Sequence, residues 1–447
     1  MSNTDNSVYE AQDLAALMHH CEEFGDIPLF VSKEYTVTYK EYALQVRRIL
    51  SALFSSEEKI VVLNIKDQIL LAEVWMAAAL SGHNVCLLPD DYSIPKSIQT
   101  ALLIDDEEAS RLRQSEPYVG YPIQDPKKVC TIAFSSGTTS EAKGVMLTQQ
   151  NLLLDTEYSI RYCNFYKGMR LVHILPYWHL FGLAADLLVP LHCGCSVYIP
   201  MGFHQMEAIS VFKPHSINLT PAFADALVSL IRQIGDVKKV TGGCLKRVLC
   251  GGAPYSEQTE RALLEYGILP YTGYGLTECS PCVSITRDGD YQLQTAGVPL
   301  ECVKIRISPD GEILVSGDTV MAGYYRDPQG TDERIRDGWL HTGDLGYLDD
   351  TGHLVITGRL SNMLVLPSGK KVIPETIEAL ISRYPGIYEC CLSMPDKKLA
   401  LEVVSTLPYE SVKKMTDAVM VDKGLIPYEL SVYSHGLKRN KMGKVIR

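Results

Sequence analysis

Phe134-Ser-Ser-Gly-Thr-Thr-Ser-Glu-Ala-Lys-Gly-Val-Met-Leu-Thr148 follows directly on an apolar run, Val129 to Phe134, and packs hydroxyls, small residues and one lysine into a single loop. In such a loop backbone N–H groups and side-chain O–H donors can approach anionic oxygens closely, and Lys143 adds a positive charge. A Ser/Thr-rich turn has the same composition, so composition alone leaves both readings open. The loop does not follow the GxxxxGK[ST] pattern of P-loop NTPases, because Thr-Thr-Ser-Glu-Ala stands between Gly137 and Lys143.

On the N-terminal side of this loop, Tyr35 to Tyr39 alternates like an edge strand and Tyr39 to Leu53 carries apolar residues at helical spacing. Lys59-Ile-Val-Val-Leu-Asn64, a helical stretch from Ile69 to Ser81, and Val85-Cys-Leu-Leu88 then read as strand, helix and strand, which predicts a mostly parallel sheet covered by helices. On the C-terminal side the pattern recurs between about residues 168 and 275. Its strands are Arg170 to Leu175, Ser196 to Ile199, Ser216 to Leu219 and Arg247 to Cys250.

From Gln294 to Val355 short strands alternate with close turns, such as Pro309-Asp-Gly311 and Asp349-Asp-Thr-Gly352, which predicts a β-rich subdomain. Beyond Gly358-Arg359 a helix is expected near Pro374 to Arg383 and a strand near Leu399 to Ser405. The expected organisation is a large α/β domain over residues 1–358 and a small α+β domain over 359–447.

The chain has 447 residues, with 46% hydrophobic and 21% charged, as in ordinary globular proteins. Its 42 Lys+Arg against 53 Asp+Glu leave a net charge of -11, which argues against a nucleic-acid partner. The N-terminus shows no basic segment followed by an apolar one, and no apolar stretch approaches the ~20 residues of a membrane span. Thirteen cysteines without a secretory signal read as small buried residues in a reducing compartment, so a cytoplasmic location is expected. Cys279-Ser-Pro-Cys282 and Cys193-Gly-Cys195 lack a second matching pair, so neither predicts a metal or redox site.

The loop at 134–148 also resembles the [ST]SGTTGxPKG signature of the adenylate-forming enzymes, the superfamily that includes acyl-CoA synthetases, peptide-synthetase adenylation domains and firefly luciferase. Ser140 stands for the usual Gly and Ala142 for the usual Pro. Further matches follow in order: Leu175-Pro-Tyr-Trp-His-Leu-Phe-Gly182, Gly251-Gly-Ala-Pro254, Tyr274-Gly-Leu-Thr-Glu278, Gly311-Glu-Ile-Leu-Val-Ser-Gly317, Trp339-Leu-His-Thr-Gly-Asp344, Gly358-Arg359 and Met442-Gly-Lys444. The resemblance covers nearly the whole chain. It implies an acyl-CoA synthetase-like fold: two α/β subdomains, a small distorted β-barrel and a mobile C-terminal lid.

The resemblance also implies an activity. MgATP would activate a carboxylic acid as an acyl-adenylate, releasing pyrophosphate, and the acyl group would pass to coenzyme A or to a carrier-protein phosphopantetheine. Ser135, Ser136, Gly137, Thr138, Thr139 and Lys143 would contact the triphosphate, and Gly251, Gly252 and Ala253 would wall the adenine. Tyr274, followed by Gly275, would stack on that base, offering a flat apolar face. Thr277 would meet the α-phosphate, Glu278 would bind Mg²⁺ with Thr138 beside it, Asp344 would grip both ribose hydroxyls, and Arg359 would meet the ribose or phosphate near the hinge. Read without the family, Glu278 is one acid among 53, Asp344 a turn residue and Arg359 a surface arginine.

Lys444 matches the lysine that stabilises charge as the carboxylate attacks the α-phosphorus. The lid hinge of the family usually carries Asp or Lys two residues after the arginine, where this chain has Ser361. Trp178-His179-Leu-Phe181 matches the aromatic motif that lines the acyl pocket, with His179 as a gate; alone, His179 reads as a core histidine. Apart from Asp186, no Asp follows that motif as in amino-acid-activating domains, so a fatty or aromatic acid is expected. Two other readings stand beside this one: a non-catalytic nucleotide-binding relative, suggested by Ser140, Ala142 and Ser361, and a luciferase-like oxidative enzyme.

Overall fold

The structure is a computed structural model and describes residues 9–54, 56, 59–88, 94–95, 97–98, 101–134, 143–200, 205–438 and 445. Among these residues the chain forms sheets of nine, six and five strands, a three-stranded sheet near the C-terminus and a two-stranded ribbon.

The expected strand–helix–strand unit is present as Ile60–Asn64, Gln68–Leu80 and Asn84–Leu87, with the two strands paired in parallel. Asp67 caps the helix by accepting from the backbone N–H groups of Ile69 and Leu70. Every later residue of that helix is buried, as an all-round apolar composition requires. It packs against the helix Tyr39–Leu53, whose first turn is closed by a capping box between Thr38 and Glu41.

The six-stranded sheet continues outward through Val129–Phe134 and Gly144–Thr148, which run antiparallel and place Phe134 opposite Gly144. A Cβ on Gly144 would come within 2.9 Å of Ile132 Cγ2, so this close pairing requires glycine.

The second unit is the nine-stranded sheet. Its centre is parallel, running Leu269–Gly275, Arg247–Cys250, Ser216–Leu219, Arg170–Val172, Ser196–Tyr198 and Pro28–Val31. The strand expected over Arg170 to Leu175 stops at Val172, because His173 turns inward to Asp186 and Gln68. Leu183–Leu188 is a π-helical turn that puts Asp186 in the interior, where it accepts from Asn218 Nδ2 at 2.6 Å.

The β-rich subdomain is a five-stranded antiparallel sheet. Val303–Ile307, Glu312–Gly317 and Trp339–Leu348 form its centre, and Leu354–Arg359 pairs with the last of these. Beyond Arg359, helices Pro374–Ile381 and Tyr409–Asp422 cover the sheet Ile387–Ser393, Leu399–Ser405 and Tyr428–Tyr433 over a separate core that includes Ile381, Leu401, Val412 and Met420. All thirteen cysteines are free, and nine of them are buried. Among the described residues no helix is long and apolar enough to cross a membrane.

Candidate active site

A cavity of about 610 Å³ opens at the carboxyl ends of the parallel strands Arg247–Cys250 and Leu269–Gly275, the place where open α/β sheets hold ligands. Gly251 and Gly252 continue the first strand and Tyr274 and Gly275 end the second, so both motifs reach the same wall. The small side chains are required there: a Cβ on Gly251 would lie 2.8 Å from the Phe181 ring, and one on Gly275 would collide with the Pro281 carbonyl oxygen.

A connected set of polar groups runs along the cavity. Lys143 Nζ is 2.9 Å from Asp327 Oδ2 and 4.8 Å above the centroid of the Tyr324 ring. The Tyr324 hydroxyl donates to Glu278 Oε1 at 2.7 Å, and Arg334 approaches the same oxygen at 3.7 Å. Arg334 also donates to the Thr342 carbonyl at 3.1 Å, and Thr342 Oγ1 accepts from the Asp344 N–H at 3.0 Å. Asp344 is buried. Its Oδ2 accepts from the Tyr274 hydroxyl at 2.9 Å and its Oδ1 lies 2.7 Å from Arg359 Nε. Burial and then the Asp344 charge push the Tyr274 phenol well above its ordinary value, so it remains a donor.

None of the apolar lining residues Phe165, Ala184, Ala185, Val189, Leu249 and Ile285 belongs to this set. One cavity therefore combines a charged run with apolar walls. Phe181 and His179 also line it; His179 is exposed and accepts the Phe181 backbone N–H on Nδ1 at 3.2 Å.

Of the residues expected at the site, Lys143, His179, Gly251, Gly252, Tyr274, Gly275, Thr277, Glu278 and Arg359 line the cavity, and Asp344 joins them through Tyr274 and Arg359. Ala253 is not among the lining residues; its carbonyl accepts from the Cys250 thiol. Ser135, Ser136, Gly137, Thr138, Thr139 and Lys444 lie outside the described residues. Asp186 stays away from the cavity, held by Asn218 and His173.

Sequence reasoning missed Tyr324, Arg334 and Asp155. The first two belong to no local pattern, since their partners are 46 and 56 positions away in the chain. Asp155 did leave a signal: it is an acid on the buried side of the helix Gln149–Cys163, between Leu152 and Ser159.

The chain is thus an α/β protein with a ligand crevice at the carboxyl ends of its strands. Its fold is shared with ATP-bound MatB from Rhodopseudomonas palustris, at a TM-score of 0.85 and 22% identity over 96% of this chain and 97% of that one. Residues 91–325 match the AMP-binding enzyme family, and the chain belongs to that family. It is similar to the long-chain-fatty-acid–CoA ligase FadD15 of Mycobacterium bovis, 28% identical over 305 residues, which is 58% of this chain and 51% of that protein. It is also similar to probable 4-coumarate–CoA ligase 1 of Dictyostelium discoideum, 31% identical over 293 residues, 61% of this chain and 53% of that protein. The match thus spans about half the length of each of these two relatives.

Proposed function

We propose that this chain activates a carboxylic acid at the expense of ATP and passes it to a thiol. A carboxylate oxygen attacks the α-phosphorus, the bond to the β-phosphate breaks, and pyrophosphate leaves. The thiol of coenzyme A, or of a carrier-protein phosphopantetheine, then attacks the acyl carbonyl and AMP leaves. The observation that carries this reading is the polar run from Lys143 through Glu278 to Asp344 beside apolar walls in one cavity.

The residues fit a magnesium nucleotide. Asp344 offers two carboxylate oxygens to a ribose diol, and Tyr274 is anchored through its hydroxyl at the cavity wall. Glu278 Oε2 makes no hydrogen bond among the described residues, which suits a hard cation that takes most of its ligands from phosphate oxygens. When bound, Mg²⁺ supplies neutralisation of phosphate charge. We assign Ser135, Ser136, Gly137, Thr138, Thr139 and Lys143 to the triphosphate, Thr277 to the α-phosphate, Gly251 to Ala253 to the adenine wall, and Lys444 to the attack step.

The apolar walls favour a fatty or aryl acid, with His179 and Phe181 at the acyl side. We further propose that residues 359–447 act as a lid turning near Ser361. Among the described residues, the polar contacts that such a turn would exchange include Arg383 to Glu257 at 3.1 Å, Gln258 to the Ser382 carbonyl at 3.1 Å and Lys371 to Asp310 at 3.7 Å, and the helix Pro374–Ile381 also packs on the strand Leu354–Arg359. Exposed pairs of this kind contribute about 0–1 kcal/mol each, so these polar contacts add little resistance to the turn. Thirteen free thiols suit a reducing compartment, and we place the protein in the cytoplasm.

The test is pyrophosphate release from MgATP across fatty, aryl and amino acids, each with and without coenzyme A. Acid-dependent release that coenzyme A accelerates, with acyl-CoA formed, is expected. Silence with every acid would overturn the reading.

A further inference from the structure

Asp155 is a cavity-lining carboxyl that the adenylation chemistry leaves without a task. It lies on the helix Gln149–Cys163, is only 1% exposed, and shares the cavity wall with Thr156 and Ser159 of the same helix. One of its oxygens, Oδ1, accepts from the Cys282 backbone N–H at 2.8 Å. Among the described residues the other oxygen, Oδ2, has no hydrogen-bond partner and no Lys, Arg or His pairs with the carboxyl. A buried carboxyl half satisfied by its own fold destabilises the empty protein, and an apolar residue here would pack without that cost. The cavity also presents Phe165, Val189 and Ile285, so a ligand entering it meets the Asp155 carboxyl and the Thr156 and Ser159 side chains together with apolar walls.

We propose that Asp155 is a specificity-determining residue, selecting acids whose non-reacting end carries a hydroxyl or amino hydrogen-bond donor. This rests on the acid-activation reading above. Burial pushes the Asp155 carboxyl well above the usual carboxylate range, against the opposing pull of the Cys282 N–H. That direction favours the neutral form, in which the carboxyl can both donate to a hydroxyl and accept from it. An alkylammonium group, already protonated at neutral pH, would instead draw the carboxyl into its ionised form, the proton leaving to solvent, and form an ammonium–carboxylate pair, whereas an arylamine stays neutral and donates an N–H. A donor-bearing acid supplies the partner that Oδ2 lacks, whereas the parent acid strands it, which is how buried polar groups discriminate between otherwise similar ligands.

The test is calorimetric binding of matched free acids to the full chain in the presence of a non-hydrolysable ATP analogue. The probes are 3-phenylpropanoic acid with its 4-hydroxy and 4-amino derivatives, and octanoic acid with 8-hydroxy- and 8-aminooctanoic acid. In at least one series the wild type should prefer a donor-bearing acid by about tenfold or more. Asp155→Ala should bring that ratio near one while the parent acid still binds. Asp155→Asn, the same shape and still able to accept from Cys282, should keep preference for the hydroxyl and lose it for the ammonium of 8-aminooctanoic acid. Ratios near one in the wild type, ratios that survive in Asp155→Ala, or no binding of any acid would each overturn the proposal. Pyrophosphate release with the same acids reports separately on activation. Selective binding without release would sink the activation reading alone, and release without selectivity would sink only the role of Asp155.

Discussion

Arg359 Nε lies 2.7 Å from Asp344 Oδ1, on the carboxylate whose other oxygen already takes the Tyr274 hydroxyl. Asp344, proposed for the ribose, and Arg359, expected at the ribose or phosphate, therefore hold each other, and a ribose diol on Asp344 must share or displace these partners. Asp344 is buried, whereas the Arg359 side chain is 53% exposed, so the acid supplies the fixed half of the pair. Hydrogen bonds to a charged group contribute about 1.5–3 kcal/mol each, so Asp344→Ala should raise the KM for ATP by about 10- to 100-fold. Arg359→Ala should cost less than about tenfold, as expected of an exposed partner. Steady-state pyrophosphate release measures both, with Asp344→Asn as a check on folding. An unchanged KM in Asp344→Ala would remove Asp344 from the ribose.

Tyr324 positions Glu278 through the 2.7 Å hydrogen bond to Oε1, leaving Oε2 for a cation. Tyr324→Phe deletes only that hydroxyl, so its effect on stability should be about 1 kcal/mol. The Mg²⁺ concentration giving half-maximal pyrophosphate release should rise several-fold, while acid dependence is preserved. A variant that loses stability with no change in Mg²⁺ response would make Tyr324 a packing residue only.

How much of this was legible in the sequence follows from how local each signal is. The unit Ile60–Asn64, Gln68–Leu80 and Asn84–Leu87 was readable because burial on all sides imposes continuous apolar runs bounded by polar residues. The end of the strand at Val172 was not, since it is set by His173 reaching Gln68 and Asp186 across the fold. The motif residues Gly251, Tyr274, Glu278, Asp344 and Arg359 were found through the family resemblance, and the structure brings them together. Tyr324 and Arg334 carry no pattern of their own and become visible only when distant segments meet at Glu278.

Glu157 joins the N-terminal segment to the helix Gln149–Cys163 by accepting the Ala11 N–H at 2.7 Å, and it is buried. Burial lifts its carboxyl to about 7, against the lowering effect of that N–H. The folded state thus holds its proton above the pH at which the unfolded chain releases it. The stability from this group is fully present below the unfolded carboxylate value of about 4.3 and is lost as pH rises through about 7. Glu157→Gln keeps the acceptor and cannot ionise, so the decline in melting temperature between pH 5 and pH 8 should be smaller in the variant. Parallel profiles for wild type and Glu157→Gln would show that the carboxyl is already charged in the folded protein.

Three cations are among the described residues lining the cavity, and each faces an acid: Lys143 with Asp327 at 2.9 Å, Arg334 with Glu278 at 3.7 Å and Arg359 with Asp344 at 2.7 Å. Charge that develops at the α-phosphorus during carboxylate attack needs a donor that is not already engaged in this way, and the assignment of Lys444 meets that need. Preorganised electrostatic groups of this kind are worth about 100- to 1000-fold in rate, and Lys444→Ala should slow acid-dependent ATP–pyrophosphate exchange by that order. Transfer of the acyl group from a preformed acyl-adenylate to coenzyme A should fall much less, because no bond to the α-phosphorus forms in that step. Lys143→Ala serves as the comparison: its ion pair is exposed and contributes about 0–1 kcal/mol to stability, so lost activity there reports on phosphate binding rather than on folding. Equal losses in both half-reactions of Lys444→Ala would take this lysine out of the attack step.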